Sequence, residues 1–90
     1  MPDEKLAKAI RSRTRRKILL LLCQKEKMSV HEIAGNLSIS ESSASKHLKL
    51  LYTFGFFGFS NLANEKFYFL KIKEIKKFLE IYNVVVRKIR

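Results

Sequence analysis

The sequence predicts a mostly α-helical domain with one small β-hairpin. Three features predict it: apolar residues recur at helical spacing through most of the chain, serines stand where helices would begin, and two aromatic-rich stretches flank a polar turn. Of the 90 residues, 47% are hydrophobic, which is enough to form a packed core. We therefore expect a single domain that spans residues 1–90.

The first part of the chain predicts two helices. Pro2 suits the first turn of a short helix. The apolar side of that helix consists of Leu6, Ala9 and Ile10. A second helix is predicted for residues 14–25, and its core positions are Ile18, Leu19, Leu22 and Cys23. Because the chain has one cysteine, an internal disulfide is excluded, and we interpret that cysteine as a small buried hydrophobic residue.

Two further helices are indicated by serine caps. Ser29 and Glu32 have the spacing of a capping box, which opens a short helix that extends to residue 37. Ser40 caps the next helix, which runs to about residue 53 and ends at Gly55. Two short helices separated by a tight turn form a helix-turn-helix.

A β-hairpin and a last helix are predicted after this motif. Residues 56–61 and 66–70 are predicted strands around a polar turn that contains Asn61 and Asn64. A hairpin in this position makes the helix-turn-helix a winged one. Its aromatic side chains are interpreted as core residues and not as a platform for stacked bases. Helical spacing returns over residues 71–90.

The helix that begins at Ser40 has two different sides. At 100° per residue, its predicted buried side consists of Ala44, Leu48 and Leu51. The opposite side and its flanks carry hydroxyl groups and cations: Ser42, Ser43, Ser45, Lys46 and Lys49. In a helix-turn-helix the start of the second helix enters the major groove, where short hydroxyl-bearing side chains can contact phosphates and base edges. The pattern therefore favours DNA binding, although capping and solvation would explain any one of these serines equally well.

Positive charge is concentrated at the two ends of the chain. The net charge is +11 and the isoelectric point is about 10.1, so an anionic partner, foremost nucleic acid, is expected. Residues 1–17 and residues 71–90 each carry seven Lys or Arg against two acids, whereas residues 18–70 carry five against four.

A run of cations at residues 11–17 stands at a predicted helix start, where the helix dipole disfavours positive charge. Phosphate contacts, with Arg13 and Arg16 as candidates, would relieve this cost. A solvated basic end is the equal alternative.

Three stretches resemble the arsenic-repressor (ArsR-like) winged-helix regulators: SRTRRKILLLL, MSVHEIAGNLSISESSASKHLKLL and GFFGFSNLANEKFYFL, in this order. The resemblance covers about residues 12–70 and is most specific in the serine-rich helix. It implies a dimeric DNA-binding transcription regulator whose Ser42, Ser43, Ser45 and Lys46 contact DNA. The wing has one basic residue, Lys66, as its candidate phosphate contact.

Metal-sensing members of that family use cysteine pairs in the first motif helix or Asp/His clusters in the last helix. Here residues 29–37 contain no Cys, and residues 71–90 contain no His or Asp. His31 and His47 are interpreted as surface or helix-edge residues. We therefore expect a metal-independent protein with no cofactor.

Enzymatic and membrane functions are not expected. The sequence offers no nucleophile–base pair at usable spacing, no glycine-rich phosphate loop and no carboxylate pair in an apolar setting. Its apolar runs fall far short of the ~20 residues that a membrane span needs, and its N-terminus lacks the apolar stretch of a signal peptide. A soluble, cytoplasmic protein without a membrane partner is expected, associated with the nucleoid when it binds DNA.

Apolar residues form a seam along the predicted last helix. They recur at heptad spacing and comprise Ile75, Phe78, Tyr82, Val85 and Ile89, with Leu79 beside them. The first helix offers only a short apolar edge, including Leu6 and Ile10, to cover so long a stripe. We therefore predict a homodimer formed through terminal helices at residues 1–11 and 71–90.

Two functions remain open from the sequence. The first is a sequence-specific double-stranded-DNA-binding transcriptional regulator that acts as a homodimer, with a recognition helix at about residues 40–53 in the major groove. The second is an architectural or protein-interaction winged-helix module that uses its basic ends without sequence specificity. The serine and lysine face favours the first, and the nearly neutral middle of the chain favours the second.

Overall fold

The computed structural model describes residues 2–89 as five helices and three short strands. In chain order these are α1 (Pro2–Arg11), α2 (Arg13–Gln24), β1 (Met28–Ser29), α3 (Val30–Leu37), α4 (Glu41–Thr53), β2 (Phe57–Leu62), β3 (Glu65–Leu70) and α5 (Ile75–Lys88). The predicted fold, a mostly α winged helix-turn-helix, is confirmed: α3 and α4 form the motif and the β2–β3 hairpin forms the wing. Met1 and Arg90, the outer residues of the two predicted terminal segments, lie outside the described residues.

The sheet has three antiparallel strands in the order β1-β3-β2. β2 and β3 pair from Phe57 opposite Leu70 to Leu62 opposite Glu65. β1 adds Met28 and Ser29 to the other side of β3. The sequence does not indicate β1, because two residues are too few to show the alternation of a strand.

The tip of the wing differs slightly from the prediction. Asn61 was expected in the turn, but it pairs with Lys66 inside the hairpin. The two turn residues are Ala63 and Asn64, which have φ of 51° and 66°. Positive φ at both positions suits a tight hairpin, because such a turn matches the twist of its strands.

The last helix begins at Ile75, so the prediction of a helical segment from residue 71 is wrong at its start. The backbone N–H of Lys71 donates to the carbonyl of Phe56 at 2.8 Å, which keeps the chain beside the sheet beyond the end of β3. Two residues form a turn before α5, and Glu74 precedes the helix without a side-chain cap. The end of α4 is as predicted, because Gly55 has φ of 91° and reverses the chain there.

One hydrophobic core joins the sheet to all five helices. The predicted inner side of α4 is confirmed, since Ala44, Leu48 and Leu51 have no exposed surface. Cys23 is only half-buried, so its interpretation as a buried residue is wrong in degree, and burial raises the pKa of its thiol. Within residues 2–89, no helix combines the length and the apolar character needed to cross a membrane.

The capping box predicted at the start of α3 is present in both directions. The Ser29 hydroxyl accepts from the N–H of Glu32 at 3.1 Å, and the Glu32 carboxylate accepts from the N–H of Ser29 at 2.9 Å. Because Ser29 is 3% exposed, water cannot readily replace the lost bond. We expect Ser29→Ala to lower the free energy of unfolding by about 1 kcal/mol and the melting temperature by roughly 4–8 °C. Thermal unfolding followed by circular dichroism measures this, and the exposed Ser60→Ala is the control, for which no comparable shift is expected.

Candidate nucleic-acid interface

The start of α4 presents a polar face to solvent. The Ser40 hydroxyl accepts from the N–H of Ser43 at 3.0 Å and fixes the first turn of the helix. Ser42, Lys46 and Lys49 are exposed, and they lie within about 60° of one another on the side away from the buried residues. Ser43 and Ser45 flank this face and are half-buried. The structure thus brings five of the predicted DNA-contacting side chains together on one helix. We call the exposed side formed by Ser42, Lys46 and Lys49 the α4 face.

A carboxylate joins this helix start to α3. His31 Nδ1 lies 2.9 Å from Glu41 Oε2, so the first residue of α4 is tied to the second residue of α3. His31 was expected at the surface, and it is exposed. Its pairing was not predicted, because a ten-residue separation across a turn leaves no periodic signal. The hydrogen bond to Glu41, and then the charge of that carboxylate, raises the pKa of His31.

His47 has the opposite environment. It is half-buried on the side of α4 that faces α2, and its Nδ1 lies 3.3 Å from Arg15 Nη1. Burial first, and then the charge of Arg15, lowers the pKa of His47. The two histidines of the chain are therefore shifted in opposite directions from the usual value of about 6.5.

We expect the two histidines to titrate separately in an NMR pH titration, His31 above about 6.5 and His47 below it. The contribution of the His31 pair to stability is therefore present below about pH 6.5 and lost as the pH rises through the folded-state pKa. For His47 the sign is reversed, and stability is lost as the pH falls from about 6.5 through its folded-state pKa. Glu41→Gln should return His31 toward the usual value and leave His47 in place. A common midpoint for both rings would show that neither contact persists in solution.

Two arginines of the basic run cap α1. Arg15 Nη2 donates to the carbonyl of Lys8 at 2.6 Å, and Arg15 Nε contacts the carbonyls of Lys8 and Ala9 at 3.1 and 3.3 Å. Arg16 Nη1 donates to the carbonyls of Ile10 and Arg11. These carbonyls end a helix and have no partner within it, so cations are favoured there. The sequence suggested phosphate contacts or a solvated end for this run. Neither alternative includes the hydrogen bonds from Arg15 and Arg16 to the carbonyls of α1.

Arg13 and Arg16 lie on the side of α2 that faces α5. A cleft of about 290 Å³ lies between α2 and α5. Its lining consists of Arg13, Arg16, Lys17 and Leu20 from α2 and of Tyr82, Asn83 and Val86 from α5. The guanidinium carbon of Arg16 lies 5.3 Å from the centre of the Tyr82 ring. The structure therefore places Arg13 and Arg16 beside α5, whereas Arg15 reaches α4.

The wing packs against α4 through aromatic rings. The Tyr52 ring, near the end of α4, lies 5.2 Å from the Phe59 ring in β2, centre to centre. Phe59 in turn lies 5.8 Å from Tyr68 in β3. Lys66, the candidate contact of the wing, is exposed and holds its Nζ 4.7 Å above the Phe59 ring. The interpretation of the hairpin aromatic residues as core residues agrees with the burial of Phe57 and Tyr68, but it is wrong for Phe69, which is 37% exposed.

The apolar surface of α5 is displaced around the helix from the predicted seam. Ile75 and Leu79 were assigned to a dimer interface, but they are 3% and 0% exposed because they pack into the core of the single chain. Tyr82 is half-buried beside Arg16. The exposed apolar stripe consists of Phe78 (40%), Ile81 (57%), Val85 (50%) and Ile89 (68%).

This stripe, which we call the α5 stripe, lies about 100° around the helix from the buried residues. It continues into an apolar groove of about 500 Å³ between α1, the α4–β2 turn and the start of α5. Leu6 lines this groove and is partly buried, as is Ile10 on the same helix.

Comparisons with known proteins agree with this architecture. The family model for bacterial regulatory proteins of the arsR family matches residues 12–56. HlyU from Vibrio cholerae is 30% identical with a TM-score of 0.79, over 93% of this chain and 90% of that chain. The transcriptional regulator HlyU from Vibrio vulnificus is 29% identical with a TM-score of 0.76, over 92% and 85%. A homodimeric winged helix-turn-helix DNA-binding domain from Mycobacterium bovis shares the fold, with 22% identity and a TM-score of 0.81. The match covers 97% of this chain and 80% of that chain.

The family match extends from the cap of α2 to the residue that precedes β2, so it includes the whole helix-turn-helix. Its members are regulators of transcription and not enzymes. Within the described residues, no three His, Cys, Asp or Glu side chains come together in a group that could hold a metal ion. The chain belongs to the arsR family of bacterial regulatory proteins and has the DNA-binding fold of its winged-helix transcriptional regulators.

Proposed function

We propose that the chain is a sequence-specific double-stranded-DNA-binding transcriptional regulator that acts as a homodimer, with α4 in the major groove. The observation that carries this proposal is the α4 face: three exposed polar side chains on one side of a helix whose other side is fully buried. Family membership supports the same reading.

The α4 face offers different chemistry along its length. Ser42 stands in the first turn, where a hydroxyl can donate to a base edge or a phosphate while the backbone approaches closely. Lys46 follows one turn later and can donate to the O6 and N7 acceptors of a guanine. Lys49 lies farther along the helix, where a phosphate is the natural partner. The half-buried Ser43 and Ser45 would support these contacts from the flanks.

The homodimer is proposed from the α5 stripe. Four large apolar side chains are 40–68% exposed along one side of a terminal helix. Such a continuous apolar surface is costly in water and is typical of an interface. Self-association through a two-fold axis would cover it and would place two α4 helices about one DNA turn, ~34 Å, apart. The homodimeric state of the similar Mycobacterium bovis domain supports this assembly.

An architectural function is the second candidate, and the charge distribution favours it. Fourteen of the 19 Lys and Arg residues lie in residues 1–17 and 71–90, outside the recognition helix. A module that binds DNA only through these ends would show a steep salt dependence and little preference between sequences. Titrations of a preferred duplex and a random duplex over a salt series separate the two functions. We expect a large preference that persists as salt rises.

Arg13 and Arg16 should behave differently in the same salt series. Arg13 is exposed and free to reach a phosphate, so Arg13→Ala should reduce the slope of log affinity against log salt by about one unit. Arg16 is held by α1 carbonyls and Tyr82, so Arg16→Ala should lower the melting temperature and change the slope little. The reverse pattern would show that Arg16 leaves α1 to bind DNA.

A further inference from the structure

One guanidinium group joins three helices. Arg15, in the first turn of α2, contacts the carbonyls of Lys8 and Ala9 in the last turn of α1 and reaches His47 on α4 with its remaining nitrogen. Arg16 also donates to carbonyls of α1, but among residues 11–17 the hydrogen bond to α4 belongs to Arg15, and this link to a third helix requires its own explanation.

We propose that Arg15 is a positioning residue for the recognition helix, which it couples through His47 to the end of α1 and so to the dimer surface. The inference rests on the proposed function, since it takes α4 as the DNA-binding helix and the α5 stripe, beside which α1 lies, as the dimer surface. It concerns residues that lie outside the α4 face and would not touch DNA themselves.

The geometry requires the arginine fork. Nε and Nη2 both point to the carbonyl of Lys8, at 3.1 and 2.6 Å, while Nη1 points to His47 at 3.3 Å. Five donors in a rigid plane can satisfy both ends at once. A lysine carries the same charge on one nitrogen and cannot replace both contacts. Shape, and not charge alone, therefore makes the connection.

The chemistry also fixes the state of His47. Arginine has no acceptor, so His47 Nδ1 must accept the hydrogen bond, and the ring must be neutral with its proton on Nε2. Protonation would remove the only acceptor that Nη1 faces on α4. Burial and the charge of Arg15 oppose that protonation by lowering the pKa of His47.

The connection reaches the surface proposed for the dimer. α1 carries Leu6, which lines the groove beside the α5 stripe, and the same helix ends in the carbonyls that Arg15 holds. A shift of α1 on association would move these carbonyls, the guanidinium group and His47 together. Dimerisation and the placement of α4 would then depend on each other.

The charged groups near this connection come from three helices. Arg15 faces His47 from α2, and Arg11 at the end of α1 acts on Arg15, whose pKa is lowered by burial and then by that charge. His31 pairs with Glu41, and its pKa is raised by that carboxylate, so its own protonation must be removed from any pH experiment on His47.

The test uses the full chain, and every variant carries His31→Gln as the background. Three single changes are added to it, which are His47→Leu, His47→Asn and Arg15→Lys. A fourth variant combines Arg15→Lys with His47→Leu. Two quantities are measured: amide hydrogen exchange at residues 8–11, and affinity for a duplex selected from a random pool. We expect His47→Leu and Arg15→Lys each to speed exchange at the end of α1 and to weaken DNA binding about tenfold. His47→Asn should stay within about twofold of the background, because its carbonyl oxygen still accepts a hydrogen bond.

The pair of substitutions and the pH profile exclude a merely structural role. The Arg15→Lys/His47→Leu pair should be no worse than the more damaging single change, because both remove the same contact. Lowering the pH from about 7.5 to about 5.5 should speed exchange at the end of α1 in the background protein and leave the His47→Asn variant unchanged. Fully additive effects, or equal pH responses with His47 and Asn, would overturn the proposal.

Failure of the proposal and failure of the proposed function are distinguishable. If no duplex is selected, the DNA function fails. Amide exchange at residues 8–11 of the free protein still shows whether Arg15 links His47 to the end of α1. Faster exchange in His47→Leu with rescue in His47→Asn supports it, and unchanged exchange overturns it. If His47→Leu unfolds by circular dichroism, the Arg15→Lys variant and the pH profile give the answer.

Discussion

Replacing both Phe78 and Val85 by glutamate should convert the chain to a monomer and weaken its binding to the preferred duplex by at least about a hundredfold. Both side chains belong to the α5 stripe and are 40% and 50% exposed in the single chain, so the change should spare the core. In a dimer they would become buried, and an unpaired carboxylate in an apolar interface costs several kcal/mol. Tyr82, which the sequence pattern also favours, is a poorer target because Arg16 covers it.

Light scattering gives the mass of the variant, and a duplex titration gives its affinity. The matched control is Asn83→Glu with Arg87→Gln, which changes the net charge by the same amount on exposed polar positions of the same helix. We expect this control to remain a dimer of 10.6 kDa chains. A double variant at Phe78 and Val85 that stays dimeric would show that the α5 stripe is not the interface.

Ser42→Ala and Lys46→Ala should each weaken binding to the preferred duplex by about 1–3 kcal/mol, which is about 5- to 150-fold. Both side chains are exposed on the α4 face, one in the first turn and one in the second, where base edges come within reach. Ser42→Ala removes no charge, so its loss should be confined to the preferred sequence. Lys46→Ala removes a cation and should also weaken binding to a random duplex, though by less.

Lys77→Ala is the matched control for Lys46→Ala, because it removes one exposed cation from α5. We expect its effect to be small and equal on both duplexes. Circular dichroism should show native helix content in all three variants, since none of the three side chains is buried. Native spectra together with unchanged affinity for both α4 variants would remove this helix from the interface.

Local signals made the helix-turn-helix predictable. The caps at Ser29 and Ser40 depend on bonds over three residues, so their spacing is visible in the sequence. The inner side of α4 repeats with helical period, and Gly55 takes the conformation that favours glycine. These features are set within one turn of the chain, and the structure confirms them.

Features that depend on how elements meet could not be predicted in the same way. α5 carries apolar residues over much of its circumference, and only packing on α2 decides that Ile75 and Leu79 face inward while Phe78 and Ile81 face outward. The start of α5 depends on the bond from Lys71 to Phe56, across the end of the sheet.

Three arginines near the candidate interface show the same limit of prediction from the sequence. Arg13, Arg15 and Arg16 look alike in a run of cations, yet one is exposed and two are used by the carbonyls of α1. The packing of α1 against α2 makes the difference, and the spacing of residues in the sequence does not show it.

The most direct test of DNA recognition by α4 is the ratio of two dissociation constants of the wild-type chain. One is measured for a duplex selected from a random pool, and the other for a scrambled duplex of the same length and composition at the same physiological salt concentration. We expect the selected duplex to bind at least about a thousandfold more tightly, as specific protein–DNA complexes do. A ratio near one would contradict sequence-specific recognition and would leave a module that binds DNA through charge alone.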